Sequence, residues 1–290
     1  MKISGIKIKL YNFIFCYIRL INTRLKFFDS VKLSIVNGRP RFKKKIGYQS
    51  KLFKYKNTYI NERCFIIGNG PSIKDMDLSP LKNEITMGSN GIYKNFEKMG
   101  FKTDFCFFED RQQTYLRRKD IKQLQGTVKI ISLSNAYHVP SSKETLFFNE
   151  RFPCEKSNNH FHASFSRDFP SVAYLGGTIT YIMIQWAYFL GCNPVYVLGV
   201  DHNYGELPKL FPPGKLKITE NNIKSISKLH FDKKYYSVGD VIGVPDVAFQ
   251  NTSYDLSNKI FELENRKIYN CGLKSKLESF PRVDYKSLFK

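Results

Sequence analysis

The chain has 290 residues, 42% of them hydrophobic, and a net charge of +21. That size suits one large α/β domain or two small ones, with apolar side chains enough for a core. No run of about 20 uncharged apolar residues occurs, which excludes an ordinary transmembrane helix. The basic N-terminus also lacks the apolar centre and small-residue cleavage site of a secretory signal.

Residues 1–60 carry 15 Lys and Arg against a single acid, Asp29, so most of the positive charge sits in an appendage. Within it, Ile14, Tyr17, Ile18 and Ile21 fall at helical spacing with Arg19 and Arg24 to the side. This pattern predicts an amphipathic helix on an anionic membrane surface, and residues 1–57 are assigned to a basic arm. A solvated arm is the plainer reading. The same charge would also suit a phosphate backbone, although nucleic acid is not the expected partner.

From residue 58 onward a single domain is expected. Short apolar runs at 64–68 (CFIIG), 85–89 (ITMGS), 104–110 (DFCFFED), 127–134 (TVKIISLS) and 194–201 (PVYVLGVD) read as buried strands. Between the last two lies a helix over 178–190, with Ile179, Ile182, Met183, Trp186, Ala187 and Leu190 on one face. Alternating strands and helices predict an α/β fold with a mostly parallel sheet, covered on both sides. Residues 205–245, rich in Pro, Lys and Asn, read as an irregular lid over the site. A helix at 246–265 and a strand at 266–272 close the fold.

The six cysteines form no CxxC pair, and several lie in apolar runs. They read as buried thiols in a reducing, bacterial-type cytoplasm, with the protein peripheral on the inner membrane face.

The strongest local signal is FIIGNGPSIKDMD at 65–77. Gly68 and Gly70 permit a tight turn and close approach of a ligand to the backbone. Pro71 is preset for a helix start, and Ser72 adds a hydroxyl beside the free N–H groups. Strand, glycine turn and helix start together make a candidate site for a nucleotide phosphate. The alternative is an ordinary β–α turn with Ser72 and Asp75 as helix caps.

This segment resembles the opening of the glycosyltransferase family 42 sialyltransferases. It resembles equally the related bacterial motility accessory factors and MptE-like pterin diphosphokinases. GSNGIY (88–93), the 176–204 stretch from GGTIT to GVDHNY, and SKLESFPRVDY (275–285) fit the same pattern. The resemblance covers roughly 62–285. It implies a Rossmann-like, variant GT-A sheet with a lid, and a CMP-activated, sialic-acid-like sugar as donor, displaced with inversion. It also implies a homo-oligomer and no required cofactor. The basic arm points to a cell-surface glycan or glycolipid as the acceptor.

In that scheme Asn69, Ser72 and Asn90 hold the nucleotide with the turn's backbone. Ser134 and Asn135 face nucleotide and sugar, and Thr178 and Thr180 meet the donor's carboxylate or phosphate at a helix start. Ile179 stands where the family has a serine. The general base would be a lid histidine, matched by His230, with His202 the second choice. Tyr235 and Tyr236 would stabilise the leaving phosphate. His160 and His162 are two histidines only, weak grounds for a metal. Asp201 is counted with the donor-binding residues, where it would contact the sugar or order the lid; alternatively Asp110 and Asp201, at strand ends, could hold Mg²⁺ for a nucleoside-diphosphate donor or a pterin diphosphokinase.

Overall fold

The computed structural model describes residues 48–289 apart from 154–155, 158–159 and 233–234. The arm assignment for residues 1–47 lies outside them. Residues 48–57 do not continue the arm. They begin the domain, because Leu52 is fully buried and Tyr55 packs 5.5 Å from Trp186 and 5.7 Å from Phe105, ring to ring.

Seven strands make the central sheet: β1 (Cys64–Ile67), β2 (Ile85–Ser89), β3 (Phe105–Phe108), β4 (Val128–Ser132), β5 (Thr145–Phe148), β6 (Val195–Leu198) and β9 (Ile268–Asn270). Their order is β9-β6-β1-β2-β3-β4-β5, and every pairing is parallel. The sheet defines a Rossmann-like α/β fold, as its apolar runs predict. The strands are apolar throughout because both faces are covered.

The covering helices are α1 (Tyr48–Phe53), α2 (Arg111–Leu116), α3 (Arg118–Gln123), α4 (Ile179–Leu190) and α6 (Val247–Glu262), while α5 (Glu220–Ile226) belongs to the lid. Side chains alternate along β1. Cys64 and Ile66 join one core with Trp186 of α4 and Phe261 of α6, while Phe65 and Ile67 join a second core with Ile73, Leu81 and Ile121. α4 is buried nearly all round and ends at Gly191, whose φ of 89° suits a residue without Cβ.

The lid is not irregular. Residues 214–217 (β7) and 241–244 (β8) pair as an antiparallel hairpin around α5. Leu207, Ile218, Ile226, Ile242 and Val244 close a third small core beneath it. α5 starts with a capping box in which Thr219 and Asn222 satisfy each other's backbone N–H groups. No described helix is long and apolar enough to cross a membrane.

Candidate functional site

β1 lies between β2 and β6, so the chain leaves these neighbouring strands in opposite directions and opens a crevice at their C-terminal ends. The turn after β1 (68–72) faces the loop after β6 (199–203) across it. The two are in near contact: Gly68 N donates to Leu198 O at 2.8 Å, and Gly70 N to Gly199 O at 2.8 Å. A Cβ on Gly68 would sit 2.3 Å from Gly199 O, and one on Gly70 would sit 2.7 Å from an Asp201 carboxylate oxygen. The close approach that these glycines allow is therefore to the 199–201 loop.

The same loop changes the reading of Ser72. Its N–H donates to Asp201 Oδ2 at 2.9 Å and its hydroxyl donates to Asp201 Oδ1. Asp201 is buried, so the anion at this helix start is the protein's own carboxylate. The following helix is a five-residue 3-10 turn, Pro71–Asp75. The expected phosphate site at Ser72 is thus closed. Asn69 donates to Ser89 O at 3.0 Å and leaves its Oδ1 buried without a partner.

The second turn–helix junction is open. Thr178 caps α4 by accepting from Thr180 N at 3.3 Å. Three adjoining cavities meet around it. One of about 160 Å³ lies between Gly68–Gly70, Thr178–Thr180 and Asp201. A second of about 290 Å³ extends to Asn90, Asp110 and Gln113. A third of about 540 Å³ runs under the lid between Ile226, Ile242 and Phe249. Gly177 borders the second and third, and Thr178 the first and second.

His230 stands where the first and third cavities adjoin. Its Nε2 lies 3.2 Å from the Tyr236 hydroxyl, and its ring packs 4.2 Å from the Tyr235 ring. Burial pushes its pKa down to about 4, with the Arg117 charge adding to the fall and a backbone contact at Leu229 opposing it. The imidazole is therefore neutral at ordinary pH. Tyr236 borders the second and third cavities, and burial raises its phenol so that it stays protonated.

Tyr235 plays a different part from the one expected. Its ring is buried, its hydroxyl accepts from Gly91 N at 3.1 Å, and a Cβ on Gly91 would strike the ring at 2.5 Å. It holds the lid to the turn after β2. Phe231 N does the same for the turn after β1, donating to Asn69 O at 3.0 Å. His202 is half-buried in the smallest cavity, with Nε2 2.7 Å from Asn251 Oδ1 and its pKa lowered chiefly by burial.

Other expected site residues separate by location. Asn90, at φ 50°, borders the second cavity, and its Oδ1 is buried without a partner. Ser134 and Asn135 border none of the three. Asn135 is buried and donates to Glu109 O at 2.7 Å and Thr114 Oγ1 at 3.2 Å, so it braces the exit of β3. Ser134 bonds Ser132 at 2.7 Å.

The acids suit a resident Mg²⁺ poorly. Asp201 spends both oxygens on Ser72, and Asp110 caps α2 through Gln113 N at 2.7 Å. Among the described residues no three His, Cys, Asp or Glu side chains gather as a metal group. The four described cysteines, Cys64, Cys106, Cys192 and Cys271, are buried free thiols.

Two site residues escape a sequence reading. Gln113 borders the second cavity, and buried Arg117 fixes it by donating to its amide oxygen and to Tyr235 O at 2.8 Å. Their one signal is the four-residue helical spacing after a strand that ends in two acids.

A parallel sheet with its cleft at the strand-order switch, roofed by a lid, defines a Rossmann-like α/β protein. The sequence profile of the family described as 6-hydroxymethylpterin diphosphokinase MptE-like matches residues 41–206, more than half of the chain, and the chain belongs to that family. Among solved structures, it is similar to a MAf glycosyltransferase from Magnetospirillum magneticum AMB-1, with 14% identity and a TM-score of 0.46. That match covers 83% of this chain and 38% of the other, so this chain spans well under half of that protein's length. No curated protein sequence matches this one.

Proposed function

We propose that the protein is a transferase that moves a sugar from a nucleotide-activated donor to an acceptor hydroxyl, with His230 as the general base. The observation that carries this reading is the position of His230: its ring stands at the junction of two cavities with Nδ1 free of any protein partner, beside the Tyr236 hydroxyl and across from the open start of α4. The donor's phosphate lies at Thr178–Thr180, where the helix dipole favours an anion. As the acceptor oxygen bonds to the anomeric carbon, its proton passes to the unprotonated nitrogen of His230. The carbon–oxygen bond to phosphate breaks, and the nucleotide leaves with that electron pair. Attack opposite the leaving group inverts the centre. Tyr236, the one of the two tyrosines that borders the cavities, donates to the leaving phosphate. Tyr235 positions it.

In its finer form the donor is a CMP-activated, sialic-acid-like sugar. The acceptor is a glycan or glycolipid at the inner membrane face, reached through the basic arm. Family membership favours a second reading, Mg²⁺-dependent diphosphate transfer to a pterin. In both, a hydroxyl attacks an activated donor, so the donor decides between them.

A thermal-shift screen against CMP, CDP, UDP, GDP and ATP, each with Mg²⁺ or chelator, separates them, since a ligand of the folded state raises the melting temperature. Stabilisation by CMP without metal supports sugar transfer from a CMP donor. Stabilisation only by ATP with Mg²⁺ supports the pterin reading. His230→Ala should lower turnover by about 10²- to 10⁴-fold while nucleotide stabilisation survives. Full turnover in that variant removes the base assignment.

A further inference from the structure

The second cavity differs chemically from the large one beneath the lid. In the large one the polar groups other than His230 Nδ1 are satisfied within the protein: Tyr204 donates to Gln250 Oε1 at 2.7 Å, Gln250 donates to Gly177 O at 2.8 Å, and Asp246 accepts from Phe249 N at 3.0 Å. In the second, two amides are not. Gln113 is 6% exposed, and its Nε2 has no partner. Its orientation is set, because Arg117 can only donate and therefore takes the amide oxygen. The NH₂ group is left as the unpaired end. Asn90 contributes an unpaired acceptor, Oδ1, on the same cavity.

Leaving a buried amide group unpaired is costly, and a ligand supplying the partner recovers that cost. The ligand must accept from Gln113 and donate to Asn90. Glu109 and Asp110 border the cavity too, and an ionised carboxylate only accepts. Hydroxyl groups both donate and accept, so they meet both amides and the Asp110 carboxylate. A carboxylate on the ligand has no proton to give Asn90 Oδ1 and would lie beside Asp110. Phe152 and Tyr236 add aromatic walls beside the polar groups, the usual mixture of a small-molecule site.

From this we infer that the second cavity is a subsite for an uncharged, hydroxyl-bearing sugar ring and discriminates against a carboxylated one. The inference rests on the sugar-transfer reading for the ring's role. If the transferred sugar is acidic, the neutral ring seated here belongs to the acceptor. If the transferred sugar is neutral, the ring is the donor's.

The test is an NMR titration of the ¹⁵N-labelled full chain with free neutral hexoses and with a carboxylated nonulosonic acid. The Gln113 side-chain NH₂ signal is assigned by its loss in Gln113→Leu. At least one neutral hexose should shift that signal and bind about tenfold more tightly than the acidic sugar, the worth of roughly one hydrogen bond. Asp110→Asn, which keeps a capping oxygen but removes a charge, should narrow the gap. An acidic sugar that shifts Gln113 as strongly as any hexose overturns the inference, and so does silence from every sugar. If a variant does not fold, through-bond correlation from the Gln113 backbone assigns the signal, and the wild-type titration decides. The nucleotide reading fails separately, by bare nucleotides leaving the melting temperature unchanged while hexoses still shift Gln113.

Discussion

Two junctions in this molecule are built from the same parts: a glycine turn, a hydroxyl side chain and a helix start. At Gly68–Ser72 the junction is closed, because Asp201 reaches across from the next strand and takes both Ser72 donors. At Gly176–Thr180 it is open, with Thr178 capping a twelve-residue helix on the edge of two cavities. The difference teaches that a turn's composition says an anion is wanted there, but not who supplies it. One junction is closed by the protein's own carboxylate, and the other borders two cavities.

The largest expected effect breaks the closed side. Asp201→Ala leaves the buried Ser72 hydroxyl and N–H without their charged acceptor and should cost about 2–4 kcal/mol, seen as a melting temperature lower by several degrees. Unchanged stability would mean that the Asp201–Ser72 contact is incidental and that the turn is free for a phosphate after all.

A middle-sized effect concerns the histidine between the cavities. His230 titrates near 4 when folded, below the 6.5 of an unshifted imidazole. Between those values the unfolded chain binds the extra proton, so stability rises with pH across this window, by at most about 1.4 kcal/mol per pH unit. It is fully present above the unfolded pKa and is lost as pH falls toward about 4. Denaturant midpoints from pH 4 to 7, compared with those of His230→Ala, should show a shallower slope in the variant. Parallel slopes would place the imidazole in water.

The smallest effects sharpen the contrast most. Ser72→Ala and Thr178→Ala should each cost about 1 kcal/mol of stability. Only Thr178→Ala should weaken nucleotide binding, measured by calorimetry. Equal losses of affinity would make both junctions ligand sites.

The sheet was largely legible because a parallel strand buried on both faces reads as one apolar run, as in CFII, FCFF and VYVL. The strand Thr145–Phe148 was passed over because TLFF is short and set among polar residues. The lid's order was hidden for a related reason. Its core residues, Ile218, Ile226, Ile242 and Val244, are scattered along the chain, and GKLK in its hairpin is mostly exposed. The clustering of His230 with Tyr236 could be anticipated from six-residue proximity. The bond from Ser72 to Asp201 could not, since it joins positions 129 residues apart and no local pattern encodes it. The same holds for Arg117, which reaches 118 residues to Tyr235 O.

The strand order has a consequence for how the chain is made. β1 is hydrogen-bonded on one side to β2, which follows at once, and on the other to β6, with Cys64 opposite Val195. During synthesis, one edge of this fully buried strand must wait for well over a hundred further residues. Loop closure over that length adds little free energy, but long-range parallel pairing is slow. Any fragment that ends before Val195 therefore carries an apolar, unpaired edge of the kind that seeds aggregation. Truncations that stop after Leu198 give β1 both neighbours, and the yield of soluble fragment should rise at that length.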